Sequence, residues 1–155
     1  HEVLERVVAL IASEHREAVK LIRDYDPSLP PLSADPDQLM QALLNITRNA
    51  VQSIAQDGHV IFRTRALTNF PIGAIRHKLV LSIEIEDNGP GVPADLAESI
   101  FYPLVTGRPD GTGLGLPISQ DLVSRHGGLI EYQSRPGRTV FTVRLPAVAP
   151  APEVA

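Results

Sequence analysis

Leu79-Val80-Leu81-Ser82-Ile83-Glu84-Ile85-Glu86 is apolar at every odd position and turns polar at the even ones. That period-two pattern marks a strand in a sheet with one covered face. Asp87-Asn88-Gly89-Pro90-Gly91 follows and ends the strand with turn residues. Asp87 shares the parity of Leu81, Ile83 and Ile85, so a strand that persists to its end aims this carboxylate at the covered face. A carboxylate there must find donors or take up a proton. Two readings stay open. Asp87 has left the strand and caps the turn, or it sits at a pocket rim and accepts a hydrogen bond from an amino group on a flat heterocycle, with Gly89 and Gly91 leaving room for the ring.

Working outward, His59 to Arg65 reads as a second strand, and the Pro- and Gly-containing stretch Thr68 to Arg76 as a long hairpin loop. Asp35-Pro36-Asp37-Gln38 supplies an N-cap, a proline at N1, an acid in the first turn and Gln at N3. The helix it opens is predicted to run to about Gln56, before Asp57-Gly58. Val19 to Tyr25 reads as a strand broken by Asp26-Pro27-Ser28-Leu29-Pro30-Pro31, and Val3, Leu4, Val7, Leu10 and Ile11 give a helix over the first dozen residues. Downstream, a short helix is expected at Ala94 to Ile100. A longer one follows Gly115 and stops at Arg125-His126-Gly127-Gly128. Leu129 to Ser134 and Thr139 to Leu145 form a hairpin joined around Arg135-Pro136-Gly137-Arg138. Residues 147–155, only Ala, Pro and Val with one Glu, read as a flexible tail to a domain of residues 1–146. The expected fold is α+β: a two-layer α/β sandwich, with a mixed sheet of about five strands covered on one face by about three helices.

Composition narrows the function. The chain has 155 residues, 43% hydrophobic and 21% charged, with a formal net charge of −4 and no cysteine. An acidic chain without a basic cluster argues against nucleic acid as its main partner. Its apolar runs are far short of the ~20 residues that cross a bilayer. Zero cysteines exclude disulfides and thiolate metal sites, and fit the cytoplasm.

Gly111-Thr112-Gly113-Leu114-Gly115-Leu116 puts three glycines at alternate positions just ahead of a helix. Close backbone approach and a helix start suit phosphate. It is neither a P-loop, because Leu116-Pro117 stands where Lys-Ser or Lys-Thr is needed, nor a dinucleotide fingerprint, because Leu116 takes the place of the third glycine. Asn45 and Asn49, four apart, share one helix face with Gln41, Arg48 and Gln52. Periodicity reads that face as solvated. Asn is a weak helix former, however, and its amide oxygen suits a magnesium ion already held by phosphates and water.

Together, Asn45-Ile46-Thr47-Arg48-Asn49, Asp87-Asn88-Gly89-Pro90-Gly91, Ile100-Phe101-Tyr102-Pro103-Leu104 and Gly111 to Leu116 resemble, in order and spacing, the four nucleotide-binding boxes of sensor histidine kinases. Arg135-Pro136-Gly137-Arg138-Thr139-Val140-Phe141 resembles the closing hairpin of that ATP-binding domain. Asp24-Tyr25-Asp26-Pro27-Ser28-Leu29-Pro30 and LLNITRNA look most like the nitrogen-regulation sensor kinases. The resemblance implies a Bergerat-type ATP-binding fold that uses ATP and Mg²⁺. Asp87, with Gly89 and Gly91 beside it, would take the adenine amino group and Thr139 would close that end. Asn49 would ligate magnesium, while Asn45, Arg48, Gln52 and Arg108 would approach the phosphates, Asn45 and Arg108 as catalytic residues. Gly111, Thr112, Gly113, Leu114, Gly115 and Leu116 would lie over the phosphates in a lid spanning about Phe101 to Leu116. Gln52 stands where many members have Lys, and Leu104 where many have Phe. The implied partners are the chain's own dimerisation and phosphoacceptor domain, a response regulator receiver domain and the PII signal protein, with no nucleic acid and no membrane contact. Gyrase and chaperone ATPases of this superfold place Glu at the position of Asn45 as a base for water, which an amide cannot be. His1-Glu2 begins like the family's acceptor motif but continues Val3-Leu4-Glu5-Arg6 without its proline, and reads as an ordinary helix start.

Overall fold

The computed structural model describes residues 1–14, 19–54, 57–91 and 115–147. Helix α1 spans Glu2–Glu14 and buries Leu4, Val7 and Ile11 of the predicted stripe together with Val8, while Val3 and Leu10 are only half-buried. Its first turn closes through the Glu5 amide on the His1 carbonyl at 2.9 Å. Strand β1, Val19–Asp24, leads to helix α2, Pro36–Ser53. The cap of α2 is as expected: the Asp35 carboxylate accepts the amides of Asp37 at 3.0 Å and Gln38 at 3.2 Å. The Asp35 amide itself donates to His126 Nε2 at 3.1 Å, tying this cap to the end of the last helix.

Helix α2 ends at Ser53, earlier than the predicted Gln56. Ile54 turns into extended backbone and packs on Gly58, where an added Cβ would lie 1.9 Å from Ile54 Cγ2. The helix end thus coincides with the packing of Ile54 on the first residue of β2. Strands β2, Gly58–Ile72, and β3, Ile75–Asp87, form one long antiparallel hairpin, turned at Gly73 with φ +60°. The predicted loop Thr68 to Arg76 is thus paired strand, with Thr68 opposite Leu79 and Pro71 opposite Arg76. β1 pairs with β2 only as far as Arg63, so the distal part of β2 is an edge, where proline is tolerated. Where β1 stops, Asp26 takes over: its amide donates to Thr64 Oγ1 at 2.9 Å and its carboxylate accepts the Ala66 amide at 3.3 Å.

Helix α3, Gly115–Arg125, closes with Gly127 at φ +74° and the Gly128 amide on the Val123 carbonyl at 3.0 Å. The predicted helix at Ala94 to Ile100 and most of the tail, residues 148–155, lie outside the described residues. Strands β4, Leu129–Arg135, and β5, Arg138–Pro146, make the expected hairpin, with β5 reaching Pro146 opposite Val80. The sheet order is β1-β2-β3-β5-β4, with only β1 parallel to its neighbour, a mixed sheet as predicted. One face meets the three helices: Val60, Phe62, Ile83, Ile85, Phe141 and Val143 pack against Ile11, Leu43, Ile46 and Val123. The other face carries paired charge. Arg63 lies 3.2 Å from both Asp24 and Glu84, and Arg138 lies 2.9 Å from Glu86. No helix among the described residues is long and apolar enough to cross a membrane.

Candidate functional site

The alternation of β3 carries through to its last residue. Asp87 is paired with Val60 on one side and Thr139 on the other, and it is only 2% exposed. Its Oδ1 accepts the Gly89 amide at 2.9 Å and lies 3.5 Å from Ser53 Oγ at the end of α2. Asp87 has not left the strand, yet its carboxylate both faces the helices and braces the turn that follows. Burial pushes the carboxyl above the ordinary Asp range, opposed by the Gly89 amide and the Ser53 hydroxyl. Thr139, 3% exposed, shares a 2.9 Å hydrogen bond with the Ser134 hydroxyl.

The neighbouring glycines have a nearer reason than room for a ring. A Cβ on Gly89 would lie 2.8 Å from Ser53 Oγ and 2.9 Å from Asp87 Oδ1. One on Gly91, at φ +93°, would lie 2.9 Å from Ser134 Oγ and 3.1 Å from the Arg135 carbonyl oxygen. The Gly89 carbonyl also accepts the Gly137 amide at 2.9 Å. The turn after β3 is therefore wedged between α2 and the β4–β5 hairpin. Absent side chains make that wedge possible.

On α2, Asn45, Asn49 and Ser53 follow one another at four-residue spacing and all three are half-buried, so this stripe is a seam and not an open solvated face. Asn45 Nδ2 donates to the Gly115 carbonyl at 3.4 Å, and Ser119 Oγ lies 2.9 Å from the Ala42 carbonyl oxygen and 3.0 Å from that of Gly115. At 1.5 Å per residue the stripe extends about 12 Å, from the start of α3 to the end of β3. The structure thus brings Asn45 to Gly115, and Asp87 to Thr139 and Gly89. Leu116 is half-buried and packs against the core, while Gln52 is exposed. Arg48 is engaged with Glu14 at the end of α1, its Nη2 lying 2.7 Å from Oε1. Arg108, Gly111, Thr112, Gly113 and Leu114 lie outside the described residues, as does the predicted lid up to Leu114. Sequence reasoning missed Ser53 and Ser134. The first was within reach, because it continues the Asn45–Asn49 spacing by one more turn.

The histidine kinase-, DNA gyrase B-, and HSP90-like ATPase family profile matches residues 34–149. The sensory histidine kinase/phosphatase NtrB of Escherichia coli O157:H7 is 51% identical over 147 residues, covering 94% of this chain and 42% of NtrB. The chain therefore spans less than half the length of that relative. The catalytic domain of the histidine kinase ThkA superposes with a TM-score of 0.79 at 25% identity, covering 94% of this chain and 91% of the other. Full-length ShkA in complex with AMPPNP superposes with a TM-score of 0.77 at 28% identity, covering 97% of this chain and 30% of ShkA. The matched span holds the α2 stripe, Asp87, the start of α3 and Thr139, and the chain belongs to the histidine kinase-, DNA gyrase B-, and HSP90-like ATPase family.

Proposed function

We propose that residues 1–146 are the ATP-binding catalytic domain of a two-component sensor histidine kinase of the nitrogen-regulation type, with 147–155 as a tail. It passes the γ-phosphoryl group of ATP to a histidine on a separate dimerisation domain, for relay to a response regulator. The motif resemblance to nitrogen-regulation sensor kinases leads us to place the domain in the cytoplasm and to count the PII signal protein among its partners. The observation that carries the nucleotide reading is the Asp87 carboxylate, buried at the end of β3 and held in place by its own turn. A fixed, desolvated acceptor of this kind suits the exocyclic amine of adenine. Thr139, Gly89 and Gly91 bound the same end.

The α2 stripe then lies along the triphosphate. Among the described residues no group of three or more His, Cys, Asp or Glu side chains could hold a metal ion. Magnesium here would rest on the Asn49 amide oxygen together with phosphates and water, and would supply charge neutralisation. We assign Asn45 and Arg108 to the transferred group as catalytic residues, and Arg48, Gln52 and Gly111 to Leu116 to phosphate binding. Asn45 cannot take a proton from water, which favours phosphoryl transfer over rapid hydrolysis. Incubation with γ-labelled ATP tests this reading. The chain alone should release phosphate very slowly and leave its own histidines unlabelled, and adding a dimerisation domain with the acceptor histidine should restore transfer. Rapid phosphate release by the chain alone would instead identify an ATPase, and tight ATP binding without transfer to a docked acceptor would identify a regulatory module.

A further inference from the structure

We infer that Glu14 sets how strongly the phosphate side of this site holds its ligand, by competing with phosphate for the guanidinium of Arg48. The inference rests on the nucleotide reading above. Arg48 is the one basic side chain of α2, directly before Asn49 and three residues after Asn45. Gln52, on the next turn, is neutral. The helix surface that would face several phosphate charges therefore presents a single cation, and that cation is already engaged. Glu14 takes Arg48 Nη2 at 2.7 Å and Nε at 3.5 Å, a fork of the kind guanidinium makes with phosphate.

Glu14 is also badly placed for its own helix. It is the last residue of α1, where the helix dipole disfavours a carboxylate, and the last turn of α1 contains no basic residue. Arg48 offsets that cost. The side chains of the pair are 40% and 32% exposed, so solvent screens it enough for a phosphate to exchange with the carboxylate. Once exchanged, Glu14 would remain close to the bound phosphates and repel them. A divalent ion would mask both effects, so the penalty should be largest without one.

The test is calorimetry with ATP and with adenosine, each in Mg²⁺ and in EDTA, on wild type, Glu14→Gln, Glu14→Asp, Arg48→Gln and the double variant Glu14→Gln/Arg48→Gln. Glu14→Gln should bind ATP about two- to five-fold more tightly in EDTA, less so in Mg²⁺, with adenosine unchanged. Glu14→Asp keeps the charge and should stay near wild type. In the Arg48→Gln background the Glu14 change should have a smaller effect. ATP affinity that is unchanged or weaker in Glu14→Gln, or a gain that adenosine shares, would overturn the inference and leave Glu14 as a tether between α1 and α2. A wild type that binds neither ATP nor adenosine would overturn the nucleotide reading itself.

Discussion

The two ends of the site are built differently. At the Asp87 end every group is fixed by something else: Asp87 by the Gly89 amide, Gly89 by Ser53 and Gly137, Gly91 by Ser134 and Arg135, and Thr139 by Ser134. Along α2 the contacts are looser: Asn45 reaches the Gly115 carbonyl at 3.4 Å, Asn49 is half-buried and engaged, Arg48 is held by an ion pair that solvent reaches, and Gln52 is exposed. The first end is part of the packing and has no room for added bulk at Gly89 or Gly91. The second is displayed by a helix that would form with other side chains in those places. Recognition of a rigid base suits the first, and adjustable handling of charge suits the second.

The largest effect should come from separating binding from stability at the fixed end. Asp87→Asn replaces a buried anionic acceptor, and loss of one such charged hydrogen bond should weaken ATP about ten- to a hundred-fold by calorimetry. The fold should not suffer, because an amide oxygen can still accept the Gly89 amide. Burial raises the folded-state pKa of Asp87, so its contribution to stability is fully present below the unfolded-chain pKa and is lost as pH rises through the folded value. Asn has no such loss. The stability of the variant relative to wild type should therefore increase across that window and then level off, leaving it at least as stable at neutral pH in urea titrations. A variant that binds ATP like wild type would break the contrast between the two ends.

A pair of glycine substitutions sharpens it. Gly89→Ala forces a methyl against Ser53 and Asp87 and should cost about 1–3 kcal/mol by chemical denaturation. Gly115→Ala, at the displayed end, meets Asn45 Cβ at an ordinary 3.7 Å and should change stability by less than about 1 kcal/mol, with a gain permitted by the better helix former. Equal losses at both positions would show that the two ends are packed alike. Asp35→Ala removes the cap that starts the displaying helix and should cost about 1 kcal/mol, measured in the same way.

The fixed end was the more legible in the sequence. Strand alternation has a strict period of two, so parity offered the covered face for Asp87 on the one condition that the strand persisted to its end, which it does. The reason for Gly89 and Gly91 was hidden, because Ser53 and Ser134 reach them from distant elements. At Thr68 to Arg76, Pro71 and Gly73 read as breakers, yet Gly73 is the turn itself and Pro71 lies where β2 has lost β1 as a neighbour. The α2 stripe read as solvated because periodicity registers only apolar residues, and a seam lined by amides carries no apolar signal. The end of α2 was misplaced because the sequence carries no breaker at Ile54, which is extended and packs on Gly58.

The smallest effect on the fold is expected at Asn49, where the contrast is put most directly. Asn49 is half-buried and engaged in the native chain, so Asn49→Ala removes an interaction. Alanine is also the better helix former by a few tenths of a kcal/mol, and the two changes oppose each other. Stability by urea titration should stay within about 0.5 kcal/mol of wild type. The proposed metal role predicts a different outcome for binding. ATP affinity in Mg²⁺ should fall towards its value in EDTA, while adenosine affinity should not move, because no other group on this stretch of α2 offers the ion an amide at that position. A clear loss of stability with no change in the Mg²⁺ dependence would make Asn49 a packing residue, and the displayed end of the site would then be as structural as the Asp87 end.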